Sequence, residues 1–269
     1  MNALFFGTSE RALFGAYDPP RVKRTPAAGV VLCAPMGQEY MRAHKALRQL
    51  AMQLSKAGFH VLRFDYFGTG DSAGRCEDGS VEQWVADVGT AVDELKDTAG
   101  LATVSLVGLR LGATLAASAA ADRADIDGLV LWDPIVDGAD YLRQLIGLGV
   151  RADGSGRRFT SPPDAGDTVS VRGFPVTPRM RAAIERLDLA SAAVKARRVF
   201  LVVSNEHDAY ERVRARLAGA GTPFVKATIP SASSWESAAA AGGDLVAGAM
   251  VLPQQMIQGI VEWFTQETR

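Results

Sequence analysis

The sequence predicts an α/β protein, a mostly parallel central sheet with helices on both faces and one cap-like insertion. Three observations carry this expectation. Continuous apolar, β-branched runs, such as residues 29–34 (GVVLCA), 128–132 and 199–204, have the pattern of strands buried on both faces. Between them lie segments whose apolar residues recur at three and four, the helical period. Glycine and proline punctuate the transitions: Pro35 and Gly37 end the first buried run, and Gly58 stops the helix after it. Strands alternating with helices imply a parallel sheet covered on both sides.

Taken in order, LFF at 4–6 and ALFGAY at 12–17 read as a short antiparallel pair around the turn residues 7–11. The strand at 29–34 leads to a helix over about 40–57, and a strand at 60–64 runs into the glycine-rich turn FGTGDSAG. A second helical pattern covers 81–97, followed by a strand at 103–107, a tight turn at 108–112 and a small-residue helix at 113–121. The strand at 128–132 ends in Asp133-Pro134. Residues 137–190 then break the rhythm and include a polar stretch, RADGSGRRFTSPPDAGD, that suits an exposed loop or a cap. A strand at 199–204, a helix at 211–218, a last strand at 223–229 and a closing helix over about 253–265 complete the chain. No internal repeat is visible, and the one low-complexity hint is the alanine run at 238–241. The expectation is a single domain over 1–269, with the insertion at 137–190 inside it.

Apolar residues make up 48% of the 269, enough for a sizeable core. A formal net charge of -1 gives no electrostatic footprint for nucleic acid. Two cysteines, Cys33 and Cys76, make no disulfide framework and suit a reducing compartment. The first twenty residues lack the basic start and apolar stretch of a signal peptide. No uncharged apolar run reaches the roughly 18 residues a membrane span needs. A soluble, cytoplasmic chain without membrane insertion is expected, and its alanine and arginine richness fits a GC-rich bacterial genome. No His, Cys and carboxylate group has metal-ligand spacing, and no glycine loop matches a dinucleotide or phosphate cradle, so no metal or cofactor is implied. Oligomeric state is left open, a homodimer included.

Several ordered segments resemble the α/β-hydrolase superfamily, specifically its serine-aminopeptidase-like and exosortase-system-associated branch. GVVLCAPMG resembles the strand and oxyanion-hole loop, and RFDYFGTGDSAG the strand and turn before the second major helix. SLVGLRLGA matches the nucleophile elbow; LVLWDP and VFLVVSNEHD match the two strands after which such enzymes carry their acid. The match spans residues 28–265 in the right order. It implies a strand-to-helix turn that lifts a serine above the sheet, with partners in the order Ser, Asp or Glu, His.

The residues depart from that pattern twice. The elbow reads Gly108-Leu109-Arg110-Leu111-Gly112, and a guanidinium cannot be deprotonated to attack a carbonyl. After the acid candidate Asp208 no histidine follows; the segment where one belongs reads SASSWE at 231–236. Arg110 would stand at a helix N-terminus, where amide groups and the helix dipole attract anions and its planar fork suits a carboxylate or phosphate. Alternatively it is neutralised internally by Asp133 or Asp208, because a buried arginine needs a partner. Both readings stay open.

Other candidates stand beside plainer accounts. Tyr40 and His44, four apart on one helix face, are a hydrogen-bond donor and a general base if that face looks over the pocket; otherwise they are surface residues. His207 is a displaced base or a turn residue. Met36 or Gly37, with Leu111, would supply backbone donors to an oxyanion, Trp235 could stack on a ligand, and Phe174-Pro175 would be a cap element. Cys33 is a surrogate nucleophile or a core residue. Asp65 and Ser72 are turn formers. Three functions follow: a noncanonical enzyme or binder for a small acyl or carboxylate ligand with Arg110 recognising the anion; a catalytically silent scaffold or partner-binding protein of an envelope or exopolysaccharide pathway; or an ester or thioester hydrolase with a surrogate nucleophile.

Overall fold

A computed structural model of the chain describes residues 1–24, 27–150, 168–171, 173–230 and 252–266. The elements are β1 (Asn2–Thr8), β2 (Arg11–Asp18), β3 (Ala28–Cys33), α1 (Gly37–Lys56), β4 (Phe59–Phe64), α2 (Val81–Ala99), β5 (Val104–Leu109), α3 (Leu111–Ala121) and β6 (Ile126–Trp132). They continue as α4 (Gly138–Val150), β7 (Val169–Val171), β8 (Phe174–Val176), α5 (Pro178–Glu185), β9 (Arg198–Val203), α6 (Asp208–Gly219), β10 (Phe224–Thr228) and α7 (Gln254–Gln266). Among the described residues eight strands form one sheet in the order β1-β2-β4-β3-β5-β6-β9-β10. The N-terminal hairpin joins antiparallel to β4, and every pairing from β4 to β10 is parallel.

This topology follows from which runs are apolar on both faces. β3, β5, β6 and β9 are buried almost throughout and take the centre, whereas β1 and β10, with mostly exposed or half-buried residues, take the edges. The chain steps from β3 left to β4, then right to β5 and β6, so right-handed crossovers put α1 on one face and α2 and α3 on the other. In agreement, α1 packs beside α7 and α2 beside α3. α1 turns a stripe of Ala43, Ala46, Leu47, Leu50, Ala51 and Leu54 inward at helical spacing. α3 is buried on nearly every side; its run of alanines lets it sit close against the sheet. The Ser80 side chain caps α2 by accepting from the Gln83 N–H, and Gly100 ends it in the left-handed conformation.

Within residues 137–190, the described parts are α4, the β7–β8 hairpin and α5. The stretch leaves and returns at one point: Asp137 bridges Asp188, and Leu189 N–H donates to the Val136 carbonyl at 2.9 Å. Gly138 allows this closure, since a Cβ there would lie 1.8 Å from the Ile184 carbonyl oxygen. The polar stretch at 151–167 and the alanine run at 238–241 lie outside the described residues. No helix among the described residues is long and apolar enough to cross a membrane.

Candidate functional site

Between β5 and α3 the backbone reverses at Arg110, with φ 55° and ψ −122°. A non-glycine residue there costs on the order of 1–3 kcal/mol and persists only when its surroundings hold it. The flanking glycines make the turn sterically feasible. A Cβ on Gly108 would lie 2.3 Å from the Ala113 Cα, and one on Gly112 would lie 2.3 Å from the Cys33 carbonyl oxygen. Hydrogen bonds hold the turn: Arg110 N–H donates to the Trp132 carbonyl at 3.0 Å, and the Arg110 carbonyl accepts from Ala113 at 3.0 Å and Ile135 at 3.4 Å.

The Arg110 side chain is buried, the residue only 5% exposed. Its Nε donates to Glu39 Oε1 at 3.1 Å, and Nη1 lies 3.5 Å from the Asp133 carbonyl oxygen. The guanidinium carbon stands 5.8 Å from the centre of the Tyr141 ring. Tyr141 in turn donates its hydroxyl to the other Glu39 oxygen at 2.9 Å. Burial, and then the neighbouring Glu39 carboxylate, push the Tyr141 hydroxyl well above its ordinary pKa, so it is a donor at all working pH values. The first turn of α1, the elbow and the first turn of α4 thus meet on one carboxylate.

That carboxylate is not one of the two the sequence points to. Asp133, buried and itself at φ 43°, accepts from Ser204 twice, from its N–H at 2.6 Å and from its hydroxyl at 2.5 Å. Asp133 therefore ties the end of β6 to the end of β9. Asp208 is exposed in the first turn of α6. His207 beside it is exposed as well, and its Nδ1 caps α6 by accepting from the Ala209 N–H at 3.1 Å. This cap starts the helix three residues earlier than its apolar pattern does. Neither residue is brought to Arg110 by these contacts.

Tyr40 and His44 face elsewhere too. They line a cleft of about 100 Å³ with Arg63, Asp65 and Asp71, under α1 and against β2 and β4. Tyr40 donates to Asp65 Oδ1 at 2.5 Å, which, after burial itself, raises the Tyr40 pKa; His44 lies edge-on to the Tyr40 ring and is exposed. Asp65 also accepts from the Asp71 N–H, and its carbonyl from the Ser72 hydroxyl, so both residues build the FGTGDSAG turn. Met36 is the N-cap residue of α1; Gly37 begins the helix at φ 57°, with the Phe174 ring 3.6 Å from where its Cβ would be. Leu111 is fully buried at the start of α3. Cys33 is fully buried, and burial pushes its thiol well up, with the Tyr66 hydroxyl offsetting part of this; it is a core residue rather than a thiolate. Trp235, with the rest of 231–236, lies outside the described residues.

Three residues of the site escaped the sequence reading: Glu39, Tyr141 and Ser204. An acid in the first turn of a helix is ordinarily explained by the helix dipole, so Glu39 carried no distinct signal. Tyr141 sits in the stretch where periodicity was lost, and Ser204 ends a strand as many serines do.

The family model for serine aminopeptidases of the S33 type matches residues 24–154. No curated protein matches the sequence. Among solved structures, Est1E from Butyrivibrio proteoclasticus is similar over 100% of this chain and 99% of its own, at 15% identity and a TM-score of 0.66. Proline iminopeptidase from Mycobacterium smegmatis is similar over 98% of both chains, at 13% identity and a TM-score of 0.63. The enol-lactonase from Burkholderia xenovorans covers 97% of this chain and 100% of its own, at 20% identity and a TM-score of 0.58. With the sheet order and the strand-to-helix elbow, these likenesses establish that the chain has the α/β-hydrolase fold.

Proposed function

We propose that this protein is a non-hydrolytic member of its fold, a binding or scaffold protein in which Arg110 occupies the nucleophile's place. One observation carries the reading: the side chain at the elbow is a buried cation already engaged by Glu39, which Tyr141 also holds. A guanidinium there offers no nucleophile. All three histidines of the chain, His44, His60 and His207, precede Asp208, so the Ser-acid-His order has no final member either. The described part of 137–190 serves as a cap in this reading, since Tyr141 reaches from α4 to the Arg110–Glu39 pair. The buried thiol of Cys33 gives no support to a surrogate-nucleophile hydrolase. The exosortase-associated resemblance suggests a cytoplasmic partner in an envelope or exopolysaccharide pathway.

A second reading keeps the pocket in use: a small acyl or carboxylate ligand recognised by Arg110. The start of α3 at Leu111 favours it, because a helix N-terminus beside a guanidinium suits an anion. The two readings separate in thermal-shift measurements on the protein and its Arg110→Ser variant, with carboxylates and acyl thioesters, alongside assays with activated esters. The scaffold reading expects no ester turnover above buffer, no anion-dependent rise in Tm, and a lower Tm for Arg110→Ser. An anion that stabilises only the arginine form by mass action would establish recognition instead. Turnover of esters by the arginine form would overturn both.

A further inference from the structure

We propose that β1 is a homotypic contact, through which two copies of the chain pair antiparallel about a two-fold axis at Phe5 to make one continuous sheet. A sheet edge exposes unpaired N–H and C=O groups, and proteins ordinarily blunt such edges with charge, proline or a bulge. The far edge of this sheet follows that rule. β10 carries Lys226, whose ammonium group meets Glu206 at 2.6 Å and Glu211 at 3.2 Å. β1 does not. Its sequence NALFFGT has no charged residue and no proline, the first charged side chain after it being Glu10, and its register with β2 runs without a bulge.

Its side chains also suit a second copy of themselves. Leu4 is half-buried and Phe6 buried on the core side, while Phe5 on the other side rests edge-on against Phe14 at 5.5 Å and stays 65% exposed. Phe5 is the middle residue of the seven-residue strand. A two-fold axis there sets Phe5 opposite its own equivalent and Leu4 opposite Phe6, so apolar residues meet apolar residues on both faces of the extended sheet. A strand of this length alone makes a small interface, so the dimer is of the weak, dilution-sensitive kind. An isologous contact of this form closes on itself and does not propagate.

Sedimentation velocity on the full chain tests this over about 1 to 100 µM, the range of a weak association. The expected result is a monomer at the low end and a dimer at the high end, with Phe5→Lys monomeric throughout at an unchanged Tm. Phe5→Lys is safe for folding because the ring is mostly in solvent; Ala3→Asp, at another exposed position, serves as a second variant. The axis is tested by air oxidation in a Cys76→Ser background. Phe5→Cys brings two Cα atoms to about 4.5–5.5 Å, within disulfide reach, and crosslinks. Asn2→Cys, three residues from the axis on each copy, leaves the thiols about 20 Å apart and does not. A wild type that stays monomeric, a dimer that survives both edge charges, open polymers, or equal crosslinking at Asn2 would each overturn the proposal.

Discussion

Removing Glu39 takes one carboxylate from the buried cation at the elbow, and the size of the effect follows from the geometry. Arg110 Nε and Glu39 Oε1 are 3.1 Å apart, with side chains 6% and 12% exposed. At an effective dielectric of about 20, unit charges at that distance attract by roughly 5 kcal/mol, set against the desolvation of both groups. Taking away one member of such a pair typically costs about 3–5 kcal/mol, because the other charge stays buried without that counter-charge. Tyr141 also loses its acceptor. At about 2–4 °C per kcal/mol for a domain of this size, Glu39→Ala is expected to lower Tm by roughly 6–20 °C. Arg110→Met should lower it as well, whereas the double variant Glu39→Leu with Arg110→Met should lose much less than the sum, since neither charge of the pair remains. The assay is a double-mutant cycle of thermal or urea unfolding. Additive losses, or a single Glu39→Ala change within about 0.5 kcal/mol of wild type, would refute the reasoning. A Glu39→Ala variant of unchanged stability would mean that water or another group reaches the guanidinium readily, and that the site is open.

Two further outcomes can be checked directly. Burial raises the Asp87 carboxyl although the Phe67 N–H and the Gln83 amide, both donating to it, pull the other way. Because the folded pKa is the higher one, acidification from neutral toward the unfolded value of about 3.9 stabilises the fold at this site, and raising the pH removes that gain. Asp87→Asn should therefore compare best with wild type near pH 7 and lose ground as the pH falls to about 4.5, read as the difference between their melting temperatures; a difference independent of pH would refute the assignment. For the thiols, iodoacetamide should modify the half-buried Cys76 in the folded protein and leave Cys33 untouched until denaturant is added, as peptide mass mapping would reveal; rapid native labelling of Cys33 would restore it as a nucleophile.

The order of elements was legible because β3, β5, β6 and β9 are apolar on both faces and α1 and α2 keep a helical stripe; periodicity carries that information locally. Boundaries shifted where the helix runs beyond its apolar stripe: α6 begins at Asp208 because His207 caps it, and α1 begins at Gly37, ahead of the buried stripe that starts at Ala43. The elbow was legible too, since its two glycines sit where a Cβ would collide with backbone. Glu39 as a partner of Arg110 was not. Asp133 and Asp208 follow strands and so attract attention in this kind of fold; Ser204 donates twice to the first and the second is exposed, while Glu39 arrives from a helix 71 residues away in sequence. Contacts between distant segments leave no trace in the periodicity of either.

The separation of elbow geometry from elbow chemistry follows from the same contacts. The strained conformation at Arg110 is held by its backbone bonds to Trp132, Ala113 and Ile135, and by glycines whose absent side chains let β5, α3 and the end of β3 touch. None of those contacts involves the side chain at the turn. The fold therefore keeps its elbow whatever residue stands there, and the side chain is free to be selected for something else. In the reading proposed above, that something is cohesion: the cost of the positive φ, on the order of 1–3 kcal/mol, is met by a backbone frame that needs no nucleophile, and the guanidinium ties the elbow to Glu39 of α1, which Tyr141 of α4 also holds. If so, replacing Arg110 by serine restores the shape of a hydrolase elbow without restoring hydrolysis, because neither a histidine after Asp208 nor a free Glu39 geometry comes with it. Ester turnover by Arg110→Ser alone would show that the pocket had kept a working base, and the argument for cohesion over chemistry would fail.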